Sequence, residues 1–227
     1  MARVVKLRDV RRSELLDCAQ KLFLERGYER TTINDVIDEA GVSKGGFYHH
    51  FKAKEDLLEA LVSRLAQVSI ARFTDVVESP GADALSRLNA FFARGRQIKT
   101  EDAPQLAATF APLFDSENTL LYHRIYAAMV SVMAPVLARI IEQGKVEGIF
   151  RVTHPTAAAE IILQLSSTNH DAIASLTKAS GKSAIATALA ALEDRLRFQG
   201  IVIDRMLGLP DGRVDLVGSR ARKRALS

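Results

Sequence analysis

The sequence predicts an all-α protein with a small N-terminal three-helix domain, which contains a helix-turn-helix, and a larger C-terminal helical domain. Three observations support this fold class. Apolar residues recur at helical spacing along most of the 227 residues, as they do in amphipathic helices. No convincing period-two alternation, which would indicate strands, interrupts this pattern. Glycine, proline and capping residues divide the chain into about nine helices.

The first predicted helix covers residues 10–26 and places five apolar residues on one face: Leu15, Leu16, Ala19, Leu22 and Phe23. Gly27 ends this helix, because glycine is favoured at the left-handed position that follows a helix. Thr32 then begins the second helix as its N-cap, with Asp35 three residues later. This spacing predicts a capping box, in which each side chain accepts a hydrogen bond from the other residue's backbone N–H group.

The second predicted helix is short and amphipathic. Its apolar residues follow the spacing i, i+3, i+4 and i+7: Ile33, Val36, Ile37 and Ala40. Gly41 ends it, and Ser43 is placed to cap a third helix that runs to about His50. Phe47 and Phe51 lie four residues apart and are expected to pack against the first two helices. Two short helices joined by so tight a turn predict a helix-turn-helix.

The segment GVSKG at residues 41–45 also matches the G-x-S-x-G pattern of a serine nucleophile. That pattern requires a buried strand that runs into the serine, whereas the residues before Gly41 form a polar-faced helix. We therefore interpret the match as a coincidence and expect no enzymatic activity. A serine hydrolase that uses Ser43 is kept as an alternative, which ester hydrolysis that disappears in Ser43→Ala would support.

Six helices are predicted for the larger domain, over residues 54–77, 83–99, 104–114, 116–143, 155–178 and 183–207. The segments Ser79-Pro80-Gly81 and Gly181-Lys182-Ser183 mark two of the breaks between them. Pro104 is placed in the first turn of its helix. Pro135 lies inside its helix, which it should kink or divide. Residues 210–227 lack apolar periodicity and are predicted to form a mobile basic tail.

The composition limits the possible classes of protein. The net charge is +4 and both ends of the chain are basic, which suits contact with a polyanion but also an ordinary solvated tail. Cys18 is the only cysteine, so neither a disulfide framework nor a thiolate metal cluster is available. The first 20 residues contain no apolar leader segment, and no run of 18 apolar residues occurs. We therefore expect a cytoplasmic protein without a membrane span.

Residues 31–58, TTINDVIDEAGVSKGGFYHHFKAKEDLL, resemble the TetR family of bacterial transcriptional regulators. A weaker similarity covers residues 140–151, IIEQGKVEGIFR, which resemble a helix-to-helix connection in the family's ligand-binding part. The rest of the chain matches in helix number and order. The resemblance implies a DNA-binding domain over residues 1–53, a ligand-binding and dimerisation domain over residues 54–209, and a basic tail over residues 210–227.

The resemblance also implies which residues contact DNA. The helix from Ser43 to His50 would enter the major groove, where three of its residues would face base edges. Thr32 and Lys54, each at a helix N-terminus, would hold phosphates, since such an end favours an anion. Tyr48 and His50 match positions that contact the DNA backbone, and Lys44, Gly46 and His49 match positions that face bases. The candidate set is Thr32, Ser43, Lys44, Gly45, Gly46, Tyr48, His49, His50 and Lys54.

Two positions depart from the family pattern. Gly46 stands where the family often has a small side chain, and two adjacent glycines weaken a short helix by roughly 1 kcal/mol each relative to alanine. Ala53 stands where a serine usually caps the next helix, which forgoes roughly 0.5–2 kcal/mol. Glu55 and Asp56 should offset part of this loss, because carboxylates are favoured in the first turn of a helix.

A mainly apolar pocket in the larger domain is the second candidate site. Four aromatic and methionine side chains share one helix face: Tyr122, Tyr126, Met129 and Met133. Two preceding helices add four aromatic residues: Phe91, Phe92, Phe110 and Phe114. Such residues suit a pocket for an apolar ligand. Each of them also has an ordinary interpretation as part of the core.

Asn169 interrupts the apolar face of the helix over residues 155–178, and a buried amide must find hydrogen-bond partners. It could bond across a dimer interface, within the core or to a ligand, and these three interpretations stay open. Cys18 is expected in the small core; a redox role lacks a second thiol. His123 and His170 are isolated histidines, so we expect no metal site and no cofactor.

Together these observations predict a homodimeric, ligand-responsive regulator that binds a palindromic operator in double-stranded DNA, most simply as a repressor. A small, largely apolar effector would release it from the operator. The last two predicted helices of each subunit would pair into a four-helix interface, as the resemblance implies. The alternative is a DNA-binding dimer without a physiological ligand, whose larger domain serves assembly alone.

Overall fold

The computed structural model describes residues 2–110 and 119–218, and every regular element in these ranges is helical. The predicted all-α class is therefore confirmed. The chain divides into two compact units, each with a core of its own. Unit 1 comprises Met1–Leu65 and Asp102–Ala128, and unit 2 comprises Ala66–Glu101 and Met129–Ser227.

Unit 1 contains the predicted helix-turn-helix. Its helices are α1 Ala2–Arg26, α2 Ile33–Ala40, α3 Lys44–Tyr48 and the greater part of α4 Lys54–Ile70. Gly27 and Gly41 follow α1 and α2 with φ angles of 83° and 61°, the left-handed conformation that glycine adopts without a Cβ clash. Both predicted helix ends are therefore confirmed, whereas α3 is shorter than predicted at its C-terminal end.

The core of unit 1 is built from one apolar face of each helix. The predicted face of α1 is buried: Leu15, Leu16, Ala19, Leu22 and Phe23. Val36 of α2 and Phe47 of α3 are fully buried against it. Leu57, Leu58 and Leu61 add the matching face of α4. Burial of each large apolar side chain stabilises the fold by roughly 1.5–3 kcal/mol.

Helix α7, Thr119–Val146, contributes its first part, as far as Ala128, to unit 1. Tyr122 and Ile125 of this helix are buried in the unit 1 core. On its polar side, Arg124 donates hydrogen bonds to Asp56 (2.7 Å) and Glu59 (2.8 Å) of α4. Unit 1 therefore extends beyond residues 1–53, because α4 and this part of α7 share its core.

Unit 2 has a separate core. Its helices are α5 Thr74–Val77, most of α6 Ala84–Phe110, α7 from Met129 onwards, α8 Pro155–Leu165, α9 His170–Lys178 and α10 Lys182–Met206. Leu88 of α6 and Leu137 and Ile141 of α7 are fully buried in this core. Ile162 of α8 and Ile203 of α10 pack into the same cluster.

Four predicted helices are divided or joined differently in the structure. The predicted helix over residues 54–77 is divided by a 3-10 turn at Ala71–Phe73, and that over residues 155–178 by one at Ser166–Asn169. The predicted helices over residues 83–99 and 104–114 are one continuous helix as far as Phe110. Proline and capping signals act over a few residues, and tertiary packing overrides them. Pro135 lies inside α7, which the structure keeps as one helix.

Residues 207–218, named here the C-terminal strap, pack against unit 2 without helical structure. The buried Asp204 carboxylate accepts hydrogen bonds from the backbone N–H groups of Gly212 (2.6 Å), Arg213 (3.0 Å) and Val214 (2.9 Å). Asn89 of α6 donates to Arg213 O and accepts from the N–H group of residue 215. Residues 210–218 therefore differ from the predicted mobile tail, because polar contacts hold them and apolar periodicity does not detect such contacts. Residues 219–227 of the predicted tail lie outside the described residues.

One segment of α7 also has the length and composition of a membrane-spanning helix. Residues Tyr122–Val146 reach a mean hydropathy of 1.6. Core helices of soluble proteins pass the same test, and in α7 the buried residues Leu137, Ile140 and Ile141 pack in the core of unit 2. The apolar character of α7 is explained by this packing.

Candidate nucleic-acid interface

The N-terminus of α2 is closed by the predicted capping box. The Thr32 hydroxyl accepts a hydrogen bond from the Asp35 N–H group (3.1 Å), and the Asp35 carboxylate accepts one from the Thr32 N–H group (2.7 Å). The Thr32 hydroxyl also donates to the Asp35 carboxylate (2.7 Å), and this bond, followed by the one from the Thr32 N–H group, holds the pKa of Asp35 below its usual value. The N–H groups of Ile33 and Asn34, in the first turn, point out of the helix end without intrahelical acceptors. They are therefore suited to an anion at this end of α2.

Helix α3 is positioned by one cap and one buried side chain. Ser43 accepts a hydrogen bond from the Gly46 N–H group (3.1 Å), which confirms the predicted N-cap. Phe47 is fully buried, and its ring lies 6.0 Å from that of Phe51. Because Phe47 faces the core, the opposite side of this short helix faces outward. Helix α2 precedes Ser43 where a serine nucleophile would need a strand.

The outward side of α3 carries most of the predicted DNA-binding residues. Lys44, Tyr48 and His49 are exposed, and Tyr48 keeps 45% of its surface accessible. His50 is half-buried and meets the His49 ring edge to face, with centroids 5.2 Å apart. Gly45 is exposed and Gly46 half-buried. A cation, a phenol and two imidazoles on one surface can bond to phosphates and base edges.

Lys54, predicted to hold a phosphate, has partners within unit 1. Its ammonium group donates hydrogen bonds to the carbonyl oxygens of Tyr28 (3.1 Å) and Thr31 (3.2 Å). It also lies 4.1 Å from the centroid of the Tyr28 ring, a cation–π contact. Lys54 thus ties the start of α4 to the connection between α1 and α2. A phosphate contact by this residue stays a prediction.

Asp56 replaces part of the cap that Ala53 cannot supply. Its carboxylate accepts a hydrogen bond from the Lys52 N–H group (3.1 Å), just before α4 begins. Its other oxygen accepts the bond from Arg124, and this bond is the main cause that lowers the pKa of Asp56. The expected compensation in the first turn of α4 is therefore present, as a hydrogen bond as well as a charge.

Cys18 lies partly buried beside the unit 1 core. Burial, and then the carboxylates of Glu39 and Asp17, raise the pKa of its thiol. The thiolate is the reactive form of cysteine, so a raised pKa makes this thiol less reactive. Among the residues that the structure describes, no group of three or more potential metal ligands is found.

Residues predicted to line one apolar pocket belong to the cores of two different units. Tyr122 and Tyr126 pack in the core of unit 1, where they contact each other with centroids 5.6 Å apart. Four others pack in the core of unit 2: Phe91, Phe92, Met129 and Met133. The side chain of Phe110 and the whole of Phe114 lie outside the described residues. A single pocket lined by the full set stays a prediction.

Asn169 forms a buried amide pair with Gln199 of α10. The Asn169 amide donates to Gln199 Oε1 (3.1 Å), and the Gln199 amide donates to Asn169 Oδ1 (3.0 Å). Gln199 also donates to Leu165 O (3.0 Å) and Thr168 Oγ1 (3.1 Å). Of the three interpretations, the core one is therefore realised within a single chain. Gln199 could not be predicted as the partner of Asn169, because its position in a long amphipathic helix gives no signal of this contact.

An open surface groove of about 490 Å³ lies along α5 and α6 of unit 2. Its charged and amide-bearing lining includes Asp75, Arg87, Arg94 and Gln97, and Arg94 is paired with Asp75. The residues predicted for an apolar pocket are not part of this lining. Sequence reasoning missed the groove, because its small and charged side chains form no pattern along α6.

Two family models match the chain. Residues 15–61 match bacterial regulatory proteins of the tetR family, and residues 110–195 match a tetracyclin repressor-like C-terminal domain. Together the two matches cover more than half of the chain. The first match begins in α1 and ends in α4, so it contains the whole helix-turn-helix.

Proteins similar in sequence include transcriptional repressors. The HTH-type transcriptional repressor KstR2 of Mycobacterium tuberculosis is 40% identical over 92 residues, which are 40% of this chain and 46% of that protein. The repressor of the same name from Rhodococcus jostii is 39% identical over 80 residues, 35% of this chain and 39% of that protein. The match thus spans less than half of the length of either relative.

Solved structures share the fold at low sequence identity. RolR in complex with resorcinol superimposes with a TM-score of 0.61 at 18% identity, over 91% of this chain and 92% of that one. The repressor QsdR of R. erythropolis gives a TM-score of 0.60 at 16% identity, over 88% and 96%. FadR of Bacillus subtilis with stearoyl-CoA gives 0.50 at 20% identity, over 81% and 96%.

Proposed function

The chain belongs to the tetR family of bacterial regulatory proteins, and from this premise we propose that it is a sequence-specific DNA-binding repressor that responds to a small molecule. One observation carries the DNA-binding part of the proposal. Helix α3 is fixed by the buried Phe47, and this leaves Lys44, Tyr48 and His49 exposed on its outer side. The name of the relative KstR2, a transcriptional repressor, supports repression.

In this proposal α3 enters the major groove of a DNA duplex. Lys44 and His49 face base edges, and Tyr48 and His50 contact the DNA backbone. The free N–H groups at the first turn of α2, beside Thr32, hold a phosphate. Ser43, Gly45 and Gly46 shape α3 and let its backbone approach the DNA closely, since neither glycine carries a side chain.

A palindromic operator requires a symmetric dimer. Exposed apolar residues on the last helices of unit 2 support such an interface: Ile161, Ile185, Leu189 and Phe198. Ile185 and Leu189 lie four residues apart and so share one face of α10, and adjoining exposed apolar side chains favour a site of association. Two subunits would then present two copies of α3 at a spacing of roughly 34–36 Å or a multiple of it. A bacterial regulator that binds DNA works in the cytoplasm, which is where we place this protein.

Unit 2 is the proposed site of the effector. The structural relatives RolR and FadR were solved with resorcinol, which contains an aromatic ring, and stearoyl-CoA, which contains a long acyl chain. The side chains Phe91, Phe92, Met129 and Met133 give unit 2 an apolar, adaptable core that could open for such a molecule. The effector must prefer the state that does not bind DNA, because otherwise it would shift no equilibrium.

Selection of sheared genomic DNA on the purified protein, followed by sequencing, tests the proposal. A few sharply enriched palindromic sites are the expected result. Lys44→Ala should relax the sequence preference at one position of each half-site, whereas the control Lys145→Ala in α7, far along the chain in unit 2, should not. Broad recovery that disappears with added salt would instead show binding without sequence specificity, and would contradict the proposal.

The second candidate function is a DNA-binding dimer without an effector. Buried Phe91 and Met133 favour it, because they pack as ordinary core residues. A thermal-shift screen of small molecules separates the two. Ligand-dependent stabilisation that disappears in Met129→Trp supports an effector site inside the core of unit 2. Stabilisation that persists in that variant indicates an effector site outside this core. No stabilisation by any compound favours the dimer without an effector.

A further inference from the structure

We propose that Arg12 of α1 binds a DNA phosphate beside α3 and so extends the DNA-contacting surface onto the first helix. This inference rests on the proposed function, since it names a further contact of the same surface. No motif assigns a role to Arg12, which lies outside the segment over residues 31–58. The inference depends on where its guanidinium group is held and on which of its hydrogen-bond donors are unused.

The side chain of Arg12 is positioned by the helix that carries it and by a contact of its guanidinium group with an aromatic ring. The backbone of Arg12 belongs to α1, and the next turn of that helix buries Leu15 and Leu16 in the unit 1 core. Its guanidinium carbon lies 5.0 Å from the centroid of the Phe51 ring. Phe51 is itself only 3% exposed, so the ring that holds the guanidinium group cannot move freely.

The contact with Phe51 places the positive charge of Arg12 beside the predicted DNA-contacting helix. Phe51 follows directly after His49 and His50, the last residues of the predicted DNA-contacting helix. The guanidinium group therefore sits at the C-terminal end of that surface, although Arg12 is about forty residues earlier in the chain. The exposure of Arg12 leaves it accessible to a duplex bound there.

The aromatic contact leaves the hydrogen-bond donors of the guanidinium group available. These N–H donors lie in the plane of the group. Among the described residues, Arg12 has no carboxylate partner, whereas its neighbour Arg11 is bonded to Glu14 at 2.7 Å. A planar donor fork that lies beside a buried ring and is not neutralised suits a phosphate, which it can bind through two parallel hydrogen bonds.

The experiment compares Arg12→Gln with Arg11→Gln, which removes an equal charge from the adjacent position. Both variants and the wild type are titrated with two synthetic duplexes at several salt concentrations. One duplex carries the most enriched genomic sequence, and the other is a scrambled sequence of equal length. Arg12→Gln should bind both duplexes about tenfold more weakly, because the charge-assisted contact of Arg12 with the DNA is removed. The slope of log affinity against log salt should fall by about 0.9 for each phosphate that the variant no longer neutralises.

Arg12→Lys separates the roles of charge and shape. Lysine keeps the positive charge but lacks the planar fork, so the salt slope should return to that of the wild type. The affinity should recover only in part, because lysine cannot form two parallel hydrogen bonds to one phosphate. Thermal unfolding of each variant serves as the control for folding.

Two results would overturn the inference while leaving the proposed function intact. If Arg12→Gln binds both duplexes as tightly as Arg11→Gln, Arg12 does not bind a phosphate. If the salt slope is unchanged and only the unfolding temperature falls, Arg12 is a packing residue that covers Phe51. A wild-type protein that binds neither duplex would instead contradict the proposed function, and this inference with it.

Discussion

Gly144 of α7 has no space for a larger side chain, because the helix packs directly against the ring of Phe150 at this residue. A Cβ atom added to Gly144 of α7 would lie 2.1 Å from Cδ2 of Phe150, a ring that is 2% exposed. The Gly144 carbonyl also accepts the backbone N–H groups of residues 149 and 150 at 2.9 Å. The glycine therefore fixes how the chain leaves α7, and no rearrangement of a flexible side-chain end can relieve the clash.

We expect Gly144→Ala to lower the free energy of unfolding by about 1–3 kcal/mol, because overpacking a core has that cost. The matched control is Gly95→Ala in α6, where a Cβ atom meets nothing within 4 Å. That substitution should raise the free energy of unfolding by roughly 0.5–1 kcal/mol, since alanine is the better helix former. Urea titrations of both variants measure the difference, and equal effects would contradict the close approach to Phe150.

The amide pair of Asn169 and Gln199 gives a second prediction for single residues. Asn169→Leu should destabilise the protein by about 1–3 kcal/mol, because it leaves the buried Gln199 amide without one of its partners. Gln199→Leu should act similarly. The double variant should cost less than the sum of the two, since it removes both polar groups together. Additive effects in urea titrations would show that the two amides do not depend on each other.

At the scale of elements, α4 is held at its start by charged and polar contacts as well as by its apolar face. Lys54 bonds to carbonyl groups before α2, and Asp56 bonds both to the Lys52 N–H group and to Arg124 of α7. The side chains of Asp56 and Arg124 are about one-third exposed. Such a pair orients a helix while contributing little to stability, because water screens it.

Acid should weaken this contact. The hydrogen bond from Arg124 lowers the pKa of Asp56 from its usual 3.8. A carboxylate with a lowered pKa stabilises the folded state above its unfolded pKa, and this contribution disappears as the pH falls through the folded pKa. Near neutral pH, Arg124→Gln should therefore be less stable than the wild type by about 1 kcal/mol at most. Urea titrations should show that the difference shrinks below the pKa of Asp56; a constant difference would contradict the ion pair.

Elements defined by neighbouring residues could be predicted from the sequence. Thr32 and Ser43 form the predicted caps, and Gly27 and Gly41 end the predicted helices, because these signals act within three or four residues. The continuous helix α6 and the 3-10 turn before α9 could not be predicted, since packing against distant residues decides them. The inward position of Phe47 in α3 was predictable from its spacing to Phe51, whereas the DNA-facing residues of α3 were predicted from the family resemblance. The contact between Arg12 and the Phe51 ring could not be predicted, because α1 and Phe51 approach each other only in the folded unit.

At the scale of the whole molecule, the proposed dimer depends on apolar residues that a single chain leaves uncovered. Leu189 and Phe198 of α10 are 37% and 64% exposed. The double substitution Leu189→Glu and Phe198→Glu would bury two unpaired carboxylates in the interface, so it should yield monomers. Sedimentation should then report the single-chain mass of 24.9 kDa.

Val146→Glu is the control for this experiment, because it places a charge at another exposed apolar position, which is 80% exposed at the end of α7. It should leave the assembly unchanged. If the double variant keeps the wild-type mass, α10 is not the interface. If all three proteins are monomers, the symmetric reading of a palindromic operator by a preformed dimer is wrong.

The placement of the tyrosines has a consequence for spectroscopy. The protein has four tyrosines and no tryptophan, and all four belong to unit 1: Tyr28, Tyr48, Tyr122 and Tyr126. Intrinsic fluorescence during unfolding therefore reports on the unit that carries α3, whereas circular dichroism at helical wavelengths reports on both units. Coincident curves would indicate that the units unfold together, and separate curves that they do not. A tryptophan in place of Phe92 would give unit 2 an emission of its own.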